Sequence, residues 1–189
     1  MIRRHPPSGV PTGLVWLALA GALAAAGCSD PTAPIAPAKP QAVLSALVNQ
    51  GAVPTMTRLA KEGKTLDETV RQLCRHPADV ELERARDAWR STYLAWRAAA
   101  PYLFGLADEV TMKRRLGSWP VNAVVLDHAV ASDKFGHMRG ADDLRGYAAV
   151  EYLLFLPVEA GAATADQRCA HLTDLTREIM DLTAGVSQR

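Results

Sequence analysis

The side chains with the most chemical potential lie in the middle of the chain: Arg114, Arg115, Asp127, His128, His137, Arg145 and Glu151. Carboxylates and imidazoles hold metals and move protons, and guanidinium groups pair with carboxylates. Glu151 stands out because its neighbours Val150, Leu153 and Leu154 are apolar. A carboxylate at least partly buried in such a run must be paired, hydrogen-bonded or protonated. Arg115 reads either as a partner that neutralises Glu151 or Asp127, or as a plain surface cation. Asp127-His128 reads equally well as a solvated helix face, and His137 lies in the polar loop Ser132 to Gly140. Glu151, Asp127, His128 and His137 are the available metal donors. Trp89, Trp96 and Trp119 read first as core. The chain carries no Ser/His/Asp arrangement, HExxH motif or glycine-rich phosphate loop.

The elements that must position these residues read as helices. Leu82, Ala85, Trp89, Thr92, Trp96 and Ala99 recur at spacings of three and four, as do Cys169, Leu172, Leu175, Ile179, Leu182 and Val186. Leu59, Leu66, Val70 and Leu73 mark another helix, started afresh near Thr65. Gln41 to Lys61 reads as a helix bent at Pro54, and Ala141 to Phe155 as one stopped by Pro157. The stretch Pro101 to Gly140 is less regular, with helical parts around Glu109 to Leu116 and Asn122 to Ala131. No segment alternates with period two. The expectation is an all-α, up-and-down bundle of about four to six helices.

The N-terminus carries location signals. Arg3 and Arg4 precede the apolar run Leu14 to Ala26, which is too short to span a bilayer at about 20 residues. Ala25-Ala26-Gly27-Cys28 then resembles a bacterial lipobox. The reading is a signal peptide over 1–27, lipidation at Cys28 and a proline-rich tether over 28–40, leaving a helical domain over 41–189. An ordinary secretory cleavage near Gly27 is the alternative. Ser29 after the cysteine resembles outer-membrane sorting, facing the periplasm. Without residues 1–27 the chain has 19 basic and 20 acidic residues, and no basic run suggests nucleic-acid binding. Cys74 and Cys169 are an even pair in an oxidising compartment, and a disulfide between them would close a loop worth about 4–5 kcal/mol. Two buried free thiols are the alternative.

Several segments in order resemble the imelysin family, also called the peptidase M75 or iron-regulated protein A group. They are Val53-Pro54 with Leu66 and Leu73-Cys74, Ala85 to Trp96, and Pro101-Tyr102-Leu103-Phe104-Gly105. Arg115 with Ser118-Trp119-Pro120-Val121-Asn122 and Leu126-Asp127 follows, then Arg145-Gly146 to Phe155, then Cys169. The likeness covers about residues 43–187 and corresponds to the first half of an imelysin domain.

The resemblance implies an α-helical envelope protein connected with iron acquisition. It carries Arg115, Trp119, Asp127, Gly146 and Glu151 over as ligand-binding residues. It also implies iron or another divalent metal as a cofactor. The family's GxHxxE signature departs here: Ala148 stands where the histidine belongs, so only Glu151 of the i, i+3 pair retains a ligand atom. A cleft built between two halves would call for a homodimer or a protein partner besides the membrane anchor. The favoured expectation is a non-catalytic component that binds a ligand or partner in iron uptake. A metallopeptidase and a purely structural or assembly lipoprotein remain the alternatives, and no catalytic residue is assigned.

Overall fold

The computed structural model describes residues 39–104, 109–132, 141–156 and 163–187. The signal peptide, Cys28, nearly all of the tether, His137 and Pro157 lie outside them. The described residues form helix α1 (Pro40–Ala46), a π-helical stretch (Leu47–Ala52), α2 (Val53–Arg75), α3 (Asp79–Ala99), α4 (Glu109–Gly117), α5 (Ala123–Ala131), α6 (Gly146–Phe155) and α7 (Ala165–Ser187). Short 3-10 turns occupy Ala100–Tyr102 and Asp142–Leu144. The backbone stays helical from Pro40 to Arg75, so the described residues make six helical rods with no strand among them.

The long rods pack side by side as α2 against α3 and α2 against α7. The pairs Cys74–Cys169, Asp67–Thr176 and Gly63–Thr183 run in opposite senses along the chain, so α7 lies antiparallel to α2. The apolar stripes account for this packing. Leu59, Leu66 and Val70 of α2, Ala85, Trp89, Trp96 and Ala99 of α3, and Leu172, Leu175 and Ile179 of α7 are all buried. The disulfide between Cys74 and Cys169 joins the last turn of α2 to the first turns of α7, across a sequence separation of 95.

Two expectations are corrected. Thr65 does not start a helix: its hydroxyl donates to the carbonyl of Lys61 at 3.1 Å, the back-bond of a mid-helix threonine rather than the acceptor role of a cap. Pro54 sits in the first turn of α2, directly after the π-helical stretch and inside the continuous helical run. The π stretch just before it absorbs the change of register, and the Thr55 hydroxyl satisfies the Gly51 carbonyl at 2.6 Å. The helix expected from Ala141 begins only at Gly146, because Arg145 is extended at φ −130° and ψ 179°.

Candidate functional site

The site begins with a glycine. Gly146 has φ +68°, in the left-handed region that side chains avoid. A Cβ there would overlap the carbonyl oxygen of Arg115 and lie 2.6 Å from that of Leu116. Glycine therefore lets the N-terminus of α6 abut the C-terminal turn of α4, which sets the positive end of one helix dipole against the negative end of the other.

Side chains from distant segments then fix α6. The indole Nε1 of Trp89 donates to the Tyr147 carbonyl at 2.9 Å, tying α6 to α3. At the other end, Arg86 Nε donates to the Leu154 carbonyl at 2.9 Å, and Arg168 donates to those of Leu153 at 2.8 Å and Leu156 at 2.7 Å. The carbonyls that a helix C-terminus leaves unpaired are thus met by two cations. Burial lowers the proton affinity of Arg168, and Asp127, then Tyr152, opposes that shift.

Between α3, the end of α4 and α6 lies a groove of about 680 Å³. Tyr93, Trp96, Trp119, Tyr147, Ala148 and Glu151 line it. Arg97 and Lys113 bring positive charge to the same groove. The rings on its α3 side brace one another: Trp89 stacks on Tyr93 at 5.3 Å, and Tyr93 meets Tyr147 edge-on at 5.7 Å. Trp119 has no ring contact among the described residues and is 74% exposed. The Tyr147 hydroxyl is buried and finds no hydrogen-bond partner among them. That burial pushes its pKa up, so the hydroxyl keeps its proton.

Glu151 is half-buried, less than its apolar neighbours suggest. Successive helix residues differ by about 100° in direction. Val150, Leu153 and Leu154 accordingly enter the core while Glu151 shares the groove side with Ala148. Partial desolvation still raises the Glu151 pKa above the ordinary carboxylate value.

The structure brings some of the expected residues together and keeps others apart. Trp119 and Glu151 line the groove, and Gly146 immediately precedes its Tyr147. Arg115 instead lies 3.6 Å from Glu178, whose other carboxylate oxygen is 2.5 Å from Arg145. Asp127 accepts a hydrogen bond from the Tyr152 hydroxyl at 2.7 Å. No ion pair links Arg115 with Asp127 or Glu151 among the described residues. His128 is exposed on α5. Among the described residues no three His, Cys, Asp or Glu side chains gather where they could hold a metal ion. Ala148 presents only a methyl group where a second ligand would stand.

Sequence reasoning missed Glu178, which bridges the two arginines, and the buried Tyr147 hydroxyl. Glu178 sits beside the stripe residue Ile179, and its spacing resembles that of any surface acid on a helix. The run Arg145-Gly146-Tyr147 did carry a signal, since a glycine opening an apolar helix marks a close backbone approach.

Comparison with known proteins agrees with this architecture. The sequence model of the imelysin family matches residues 52–189. A curated relative, the iron-regulated protein A of Synechococcus elongatus, is 27% identical over 139 residues, which are 74% of this chain and 38% of the relative. The fold is similar to the crystal structure of a putative iron-regulated protein A precursor from Parabacteroides distasonis, with TM-score 0.70 and 22% identity over 78% of this chain and 44% of the other. It is also similar to an imelysin-like protein from Psychrobacter arcticum, with TM-score 0.60 and 17% identity over 78% and 48% of the two chains. This chain thus spans less than half the length of these relatives. The family match covers the whole helical frame that builds the groove, and the chain belongs to the imelysin family.

Proposed function

We propose that this protein is a lipid-anchored imelysin of the bacterial envelope that binds a ligand in the Trp119–Glu151 groove and does not catalyse a reaction on it. In this reading Cys28 carries the anchor and the domain faces the periplasm from the outer membrane. The link to iron uptake draws on the relatives, whose names record regulation by iron. One observation carries the ligand-binding role: the groove joins an exposed indole and a partly desolvated carboxylate, while the signature histidine is replaced by Ala148. A metallopeptidase needs about three protein ligands and an open coordination position. Glu151 and the methyl of Ala148 supply one ligand between them.

The test is a hydrolysis assay on the full chain with a mixed fluorogenic peptide library, supplemented in turn with zinc and ferrous ions. The expected result is no turnover above that of Glu151→Ala. Metal-dependent turnover lost in Glu151→Ala would assign the groove to peptide hydrolysis instead.

A further inference from the structure

The rod that carries α2 overhangs the helices that cover it. The Thr92 hydroxyl donates to the Glu62 carbonyl at 2.9 Å, and the Tyr102 hydroxyl lies 2.8 Å from where a Cβ on Gly51 would stand. α3 and the turn after it therefore run back along α2 as far as Gly51. α7 meets Gly63 through Thr183 and ends at Ser187. Residues 39–50 lie beyond these contacts and are exposed throughout. This overhang is amphipathic. Val43, Leu44, Leu47 and Val48 recur at spacings of three and four and are 42–60% exposed. Gln41, Ser45 and Asn49 take the other side. A contiguous aliphatic face left in water marks a contact with a protein or a membrane. Two observations select the membrane. From Pro31 to Thr57 the sequence holds no acid, and its only charged side chain is Lys39, at the start of the overhang. Anionic headgroups attract such a segment and meet nothing in it that repels them. Cys28 also precedes Pro40 by twelve residues, which reach about 40 Å at full extension. A lipid on Cys28 would keep the overhang that close to a bilayer. No described helix is long and apolar enough to cross a membrane, so the fit is to its surface.

We propose that residues 40–50 dock on the bilayer surface, with Val43, Leu44, Leu47 and Val48 at the boundary of headgroups and acyl chains and Gln41, Ser45 and Asn49 toward water. The inference rests on the reading of Cys28 as the lipid-anchored residue. An anchor on a tether leaves a domain free to turn. A docked helix that runs on into α2 fixes how the domain faces the membrane.

The test uses the full chain extracted from cell membranes and reconstituted on vesicles of phosphatidylethanolamine and phosphatidylglycerol, with and without bromine on the acyl chains. Leu47→Trp reports the apolar face and Ser45→Trp the polar face, each read as the emission added to that of the native chain. The expected result is that bromine cuts the Leu47→Trp increment about twofold or more and leaves the Ser45→Trp increment unchanged. Adding Leu44→Glu should restore the Leu47→Trp emission. Equal quenching at both positions, or at neither, would overturn the proposal. Emission from Leu47→Trp that bromine leaves untouched, and that shifts to the blue without vesicles as protein concentration rises, would give the face to a second copy and overturn it. The same shift at every concentration would give the face to another segment of the chain and overturn it likewise. Mass spectrometry of Cys28 reads the anchor separately. A lipidated Cys28 without face-specific quenching would overturn the docking alone, whereas an unmodified Cys28 would overturn the anchor reading and the proposal that rests on it.

Discussion

Gly146 and Glu151 act at the same place in opposite ways, one by having no side chain and the other by holding its charge at a cost. Replacing Gly146 with alanine places a Cβ against the Arg115 and Leu116 carbonyls at φ +68°. The change should cost more than about 1 kcal/mol and lower Tm by at least about 2–4 °C. Thermal unfolding of Gly146→Ala followed by circular dichroism checks this. Glu151 predicts a pH effect. Its folded-state pKa is raised by desolvation, so the folded form holds a proton to higher pH than the unfolded chain does. Stability from this group is then fully present below the ordinary glutamate value and declines as pH rises through the raised folded value. Glu151→Gln should flatten that decline, and Tm measured from pH 4 to pH 8 on both proteins reads it. Glu178 supplies a third case at this scale. Its carboxylate serves Arg145, whose side chain is 12% exposed, as well as Arg115. Glu178→Gln should cost about 2 kcal/mol, seen as a lower urea midpoint with the slope unchanged.

Among the elements, α6 depends most on others for its position. Glycine admits its N-terminus beside α4, Trp89 ties it to α3, and Arg86 and Arg168 take up the carbonyls at its C-terminus. The groove exists because this helix is held at both ends. The long rods are secured differently. Their stripes bury against one another, and the Cys74–Cys169 bond clamps α2 to α7. Its removal by paired alanine substitution should cost about 2–5 kcal/mol, because the bond restricts a loop spanning 95 positions in the unfolded chain. Denaturant unfolding of the double variant measures that loss. A reducing agent should reproduce it in the unmodified chain.

For the whole molecule, the helical frame was legible in the sequence because burial imposes a period on it. Leu172, Leu175 and Ile179 sit at spacings of three and four and are all buried, and Ala85, Trp89, Trp96 and Ala99 on α3 behave likewise. The break near Thr65 was misread because threonine caps a helix in one backbone conformation and back-bonds within it in another, and composition does not distinguish the two. The site was half legible. Trp119, Gly146 and Glu151 were named from the resemblance, and they lie at or beside the groove. Arg115 and Asp127 were named with them, yet each finds a nearer partner, Glu178 and Tyr152, on another helix. Such choices depend on how α5, α6 and α7 meet in space, which no local pattern encodes.

The central proposal is that this groove is a ligand site that works without a bound metal ion. The most direct measurement is calorimetric titration of the full chain, stripped of metal, with ferrous, ferric and zinc ions, repeated on Glu151→Ala. The account predicts no stoichiometric binding that depends on Glu151. One equivalent of any of these ions bound by the native chain and lost in Glu151→Ala would contradict it.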